Sequence, residues 1–232
     1  MRPVERGPRP LAMDGAPIQF NEYGEARDLL IYRIGCYCSY CEMPRPESPD
    51  VEHVQPKKWN PALTTYWGNF LLACRTCNSI KGDTPVNVDD FLWPDRDNTW
   101  LAFRYQCHRG PQAAAQTNSA VEAKAAATIG LLGLDRQPGH PSFSQRDRRW
   151  LVRIQTWDVA LLSLNRLYTA DTPAMRAQIV ETALAKGFWS VWMTVFESDR
   201  DMQRRLRDAF PGTAANCWDI AGNPAPRPGG VI

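Results

Sequence analysis

Seven cysteines are spread unevenly along this chain: Cys36, Cys38, Cys41, Cys74 and Cys77 crowd into two short clusters, while Cys107 and Cys217 stand alone. Cys38 and Cys41 are separated by two residues, as are Cys74 and Cys77, so each pair can form a turn that presents two thiolates to one ion. Four soft sulfur ligands select zinc. Such a site binds the ion at about 2.3 Å with no open position, so its role is structural. Cys36 could replace Cys38 only through a longer loop to Cys41 and reads as a packed bystander. In a reducing compartment this distribution favours metal over disulfides.

The long stretch between the two pairs holds the only histidine near them, in Val51-Glu52-His53-Val54-Gln55-Pro56. Adjacent strand residues point to opposite faces, so Glu52 and His53 can do different work, one coordinating a cation and the other facing substrate. His108 and His140 sit beside Arg, Gly and Pro with no partners at useful spacing, and read as surface or turn residues.

Three segments then fall in order: C-S-Y-C-E from Cys38, V-E-H-V-Q-P-K from Val51, and W-G-N-F-L-L-A-C-R-T-C-N-S-I-K-G-D from Trp67. Together they resemble the HNH endonuclease motif in its zinc-stapled form, over residues 36–83. The resemblance implies a ββα-metal fold in which His53 is the general base that deprotonates the attacking water. An imidazole with an ordinary pKa of about 6.5 suits that task. It implies that Glu52 and Asn78 hold a catalytic divalent cation, Mg2+ or Mn2+, and that Asn69 ties the loop carrying His53. Asn78 stands where the class has its last histidine, and its amide oxygen tilts the preference toward hard cations. The implied reaction is one-metal hydrolysis of a DNA phosphodiester. Lys57, Lys58, Arg75 and Lys81 lie close enough in sequence to contact phosphates. Taken singly, Glu52 reads as a surface charge, His53 as a core histidine, and Asn69 and Asn78 as turn or cap residues. Their order between two cysteine pairs favours a site.

These side chains need elements to hold them. Ala26, Leu29, Leu30 and Ile34 recur near helical spacing, which predicts a short helix from Glu25 to Ile34 stopped by Gly35. The runs VEHV and NFLLAC read as hairpin strands. The β-branched and aromatic residues of Thr99–Tyr105 predict a further strand, and Trp93–Asn98 an acidic structural turn. Helices are expected at about 119–133, 144–168, 172–187 and 188–209. In the second, Trp150, Ile154, Trp157, Leu161, Leu164 and Tyr168 form a core stripe. The arginines at 146, 148, 149 and 153, like those at 200, 204, 205 and 207, read as solvated helix faces, and Phe188, Trp189, Trp192 and Phe196 as core. The expected class is α+β: an N-terminal ββα-metal nuclease domain with structural zinc, then a mostly α-helical region. The expected division is an extended basic, proline-rich arm (1–24), the nuclease domain (25–108), a helical domain (116–210) and a flexible tail (211–232).

The chain has 232 residues, 44% of them hydrophobic, enough for one large domain or two small ones. A net charge of +2 is too small to announce a nucleic-acid binder, so any phosphate-binding surface must be local. No run approaches the roughly 20 apolar residues of a membrane span, and the first residues lack a secretory signal, which places the protein in the cytoplasm. The layout resembles small bacterial HNH proteins that accompany anti-phage defence systems. That resemblance implies DNA as substrate and a protein partner such as a defence-system ATPase or other sensor. Two other readings compete: a zinc-stapled module that grips nucleic acid without cutting, and an effector kept silent by a partner. Oligomeric state is not legible in the sequence.

Overall fold

The structure is a computed structural model that describes residues 1–45, 47–116 and 118–232. Strands β1 (Asp50–His53) and β2 (Phe70–Ala73) pair antiparallel, with Glu52 opposite Leu71 and His53 opposite Phe70. All four residues of β2, Phe-Leu-Leu-Ala, are buried, so this strand needs cover on both faces. Helix α2 (Arg75–Lys81) follows after one residue. Cys74 caps it, its sulfur accepting from the Cys77 backbone N–H. The same cysteine thus ends a strand, starts a helix and supplies a candidate ligand. The long excursion from 54 to 69 connects β1 to β2.

Helix α1 (Arg27–Ile34) follows a 3-10 turn over Tyr23–Ala26 and stops at Gly35, whose φ of 78° lies where L side chains are disfavoured. The strand expected over Thr99–Tyr105 is instead a helical turn, α3 (Thr99–Ala102), followed by a two-residue strand β3 (Phe103–Arg104) paired with β4 (Gln112–Ala113). Tertiary contacts override the β-propensity. The Thr99 hydroxyl donates to the Met1 carbonyl, and the Asn98 amide donates to the Cys217 and Ala225 carbonyls at 2.8 and 2.7 Å.

Five helices complete the chain. Helix α4 (Ser119–Leu132) starts at the Asn118 side chain and ends at left-handed Gly133. Helix α5 spans Arg149–Thr169, and α6 (Pro173–Lys186) has Thr172 as its cap. The stretch expected as one helix from 188 to 209 is two, α7 (Trp189–Val195) and α8 (Arg200–Ala209), because Asp199 breaks the run and caps the second through the Met202 N–H. On α5 the buried face carries Arg149, Arg153, Thr156, Trp157, Ala160, Ser163 and Leu167, while Leu161 and Tyr168, expected in the core, are 40% and 73% exposed. The helix is rotated from the apolar stripe because Arg149 and Arg153 find buried partners. Arg149 and Arg153 are therefore core residues, not a solvated face.

The described residues form an α+β fold of two small sheets and eight α-helices, with a helical C-terminal part. Its hydrophobic core is continuous, running from Met1 and Val4 through β2 and α7 to Ile232. The arm and tail are packed rather than loose. Asn98 N–H donates to the Ile232 carbonyl at 2.7 Å, Asp97 accepts from the Val231 N–H at 2.8 Å, and buried Arg227 donates to the Val4 carbonyl at 2.9 Å. The Trp93–Asn98 turn is the post to which both chain ends are tied. No helix among the described residues is long and apolar enough to cross a membrane.

Candidate zinc centre and active site

Cys38, Cys41, Cys74 and Cys77 are all buried, and their sulfurs lie within 4.8 Å of one another. Four sulfurs at about 2.3 Å from one ion stand a little under 4 Å apart, and the Cys41 and Cys74 sulfurs are separated by 3.7 Å. The donor set fits zinc in geometry and softness. Both pairs make the same turn, with the N–H of Cys41 on the Cys38 sulfur and that of Cys77 on the Cys74 sulfur, each at 3.4 Å.

A fifth group reaches this centre from the helical part. The Arg149 guanidinium donates to the Cys77 sulfur at 3.0 Å, to the Leu132 and Gly133 carbonyls at 3.0 and 2.7 Å, and as a fork to Asp147 at 2.9 and 2.7 Å. Burial pulls its pKa down, but the Asp147 bonds and the charge of Cys77 and Cys41 outweigh it, so the group is held firmly cationic. Glu42, beside Cys41, ties the first cysteine turn to α7: its carboxylate accepts from the Ser190 N–H and hydroxyl at 3.1 and 2.6 Å. Gly187 makes this approach possible, since a Cβ there would stand 2.7 Å from the Glu42 carbonyl oxygen.

His53 closes β1. Its Nε2 lies 2.9 Å from the Thr64 carbonyl oxygen. A carbonyl only accepts, so Nε2 carries the proton and Nδ1 keeps its lone pair. The ring packs edge-on against Tyr23 and Phe70, with centroids 4.9 and 5.3 Å away. Burial pushes its pKa below the ordinary 6.5, the Thr64 bond opposes this, and Lys57 and Lys81 add to it. Asn69 is buried in the loop behind. Its Oδ1 accepts from the Gln55 N–H at 2.8 Å and its Nδ2 donates to the Gln55 carbonyl at 2.9 Å, closing the 54–69 excursion on itself.

Asp50 and Glu52, two apart on β1, share the face toward α2. The Asn78 side-chain amide donates to Asp50 Oδ2 at 3.0 Å. Glu52 is buried and ion-paired with Lys81 at 2.8 Å, and Lys81 also donates to the His53 carbonyl at 2.7 Å. Burial raises the Glu52 pKa, and Lys81 pulls it back. The expectation that Lys81 contacts phosphate is corrected: its ammonium is 1% exposed and committed to Glu52 and His53. Lys57, Lys58 and Arg75 are exposed. The structure therefore sets Glu52 and Asn78 on the side of β1 that meets α2, the first paired with Lys81 and the second with Asp50, places the His53 ring against Thr64, Tyr23 and Phe70 with Asn69 in the loop behind, and withdraws Lys81 to the interior.

Sequence reasoning missed four residues of this arrangement. Asp50 was legible through strand alternation from Glu52. Tyr23, Arg6 and Arg149 carry no local signal, because each reaches the site from a distant segment. Arg6 donates to the Gly68 and Phe70 carbonyls at 2.7 and 2.8 Å, bracketing Asn69, and pairs with Asp95 at 2.7 Å.

A short hairpin and a following helix form a ββα unit with one histidine on its first strand and a four-cysteine set that fits a zinc staple. Residues 38–84 match the family model described as HNH endonuclease, and this segment is an HNH endonuclease domain. The match spans about a fifth of the chain. No curated protein and no solved structure matched.

Proposed function

We propose that the protein is a DNA endonuclease that hydrolyses phosphodiesters by a one-metal mechanism. The observation that carries this reading is the fixed tautomer of His53. With Nε2–H on the Thr64 carbonyl, Nδ1 is free to take a proton from water, and the depressed pKa keeps it unprotonated at neutral pH. Asn69, through Gln55, supports the loop whose Thr64 carbonyl aims the ring. Carboxylate and amide oxygens on the β1 face suit a hard cation, magnesium or manganese. Glu52 and Asn78 would hold it, with Asp50 beside them, and it would supply positive charge against the phosphate and the departing oxygen. Lys57, Lys58 and Arg75 stand ready for the backbone phosphates. Glu52 must share or exchange its bond to Lys81 to serve.

Purified full-length protein, assayed with magnesium or manganese on plasmid DNA beside His53→Ala, tests this. Loss of the base is expected to slow cutting by about 10²–10⁴-fold with zinc content unchanged. Equal cutting by the variant would remove His53 from the chemistry. One observation favours a second reading, a module that grips nucleic acid without cutting: the Glu52–Lys81 pair already neutralises the carboxylate. That reading expects DNA binding that survives magnesium chelation and no cleavage under any divalent ion. The biological role we propose is that of a cytoplasmic nuclease effector in an anti-phage defence system, acting with a partner such as an ATPase or sensor. It is supported by the resemblance in layout and tested by phage challenge of cells carrying wild type or His53→Ala.

A further inference from the structure

Two rings on the loop from 54 to 69 stand half in solvent, Trp59 at 54% and Tyr66 at 53% exposure. Both are held. Trp59 Nε1–H donates to the Asp83 carbonyl at 2.7 Å, which ties the ring edge to the turn after α2 and leaves the ring half in solvent. Tyr66 lies against the backbone of Gly68, where a Cβ would come within 2.4 Å of its ring. Cations accompany the aromatics. Lys58 Nζ stands 5.1 Å from the Trp59 centroid, and Lys57 Nζ 4.3 Å from that of Tyr23, the ring packed on His53. Neither lysine has an acidic partner among the ion pairs of the described residues. The same loop supplies the Thr64 carbonyl that orients His53, so these groups border the site.

We infer that this loop is a stacking surface for unpaired nucleotides, and that the protein engages single-stranded DNA in preference to duplex. Fixed, half-exposed rings offer π-faces to bases, and unpaired lysines beside them offer charge to the intervening phosphates, the combination by which single strands are gripped without sequence readout. A duplex keeps its bases stacked on one another and gives such rings nothing to cover. The inference rests on the nuclease reading for its place beside His53, but stacking is measured by binding alone.

The test uses the full chain carrying His53→Ala, so that DNA survives, and fluorescence anisotropy with a labelled single strand, the matching duplex and a strand of equal length with abasic sites in place of bases. The abasic strand keeps the charge and loses the stacking, so it is expected to bind about tenfold more weakly than the intact strand. Adding Trp59→Ala or Tyr66→Ala is expected to weaken intact-strand binding by a similar factor and duplex binding hardly at all, with Trp59→Phe and Tyr66→Phe restoring most of it. Equal affinity for abasic and intact strands overturns the inference, whatever the variants do. So does an equal loss on duplex and single strand. Base-dependent binding by a wild type that never cuts would defeat the nuclease reading and leave this one standing.

Discussion

At the scale of single residues, burial decides how the site can work. His53 is a base only in its neutral form. Its pKa lies below 6.5 because desolvation disfavours the imidazolium, and a bound cation nearby would push it the same way. Cleavage is therefore expected to hold constant through neutral pH and to fall only as pH drops through that depressed value. A rate profile whose acid limb lies above pH 6.5 would contradict the assignment. Lys81 gives the sharper stability test. It and Glu52 are both buried, and removing one member of a buried pair strands the other. Lys81→Met is expected to cost about 3–5 kcal/mol in urea denaturation, and a second change, Glu52→Gln, to recover most of it. A loss below about 1 kcal/mol would mean that water reaches the pair.

Between elements, the important joint is the one from α5 to the cysteines. Arg149 donates to the Cys77 sulfur, and with zinc bound it would offset part of the negative charge that four thiolates bring to the ion. Arg149→Met is expected to weaken zinc binding by about 10–100-fold, read as faster transfer to a colorimetric chelator. Arg149→Lys should rescue little, since an ammonium cannot reproduce the fork to Asp147 while also meeting the sulfur and two carbonyls. Unchanged zinc release in both variants would reduce Arg149 to a packing residue. Some of this scale was readable beforehand. The hairpin and α1 follow from apolar runs and a glycine stop, α4 and α6 lie close to where helices were expected, and α2 was implied only by the ββα resemblance. The division of the last stretch into α7 and α8 was not read, although Asp199 marks it, and the rotation of α5 was not readable, because a sequence shows which residues are apolar but not which arginines will find buried acceptors.

For the whole molecule, the nuclease domain is bonded to segments on both sides of it in sequence. Both faces of β2 are covered, Arg6 of the arm holds the carbonyls around Asn69, and α7 is bonded to Glu42 beside the zinc turn. A fragment of residues 25–108 loses the arm and every helix from α4 onward. It is expected to bind zinc weakly and to show no cooperative thermal transition, whereas the full chain unfolds in one step with loss of zinc. A sharply melting fragment would show that the helical part is an appendage.

The chemistry is legible in the sequence, since ligand type and spacing are local: two pairs of cysteines two residues apart, a Glu-His step on a strand, and two asparagines in order. That much named the class, the donor set that fits zinc and the order of the candidate site residues. The tertiary structure decided what each charge does. Lys81 and Arg149 look like surface cations in the sequence, yet one pairs with a buried carboxylate and the other donates to a buried cysteine sulfur. Their partners lie 29 and 72 residues away, and a charge is worth burying only where folding brings its complement within a few ångströms.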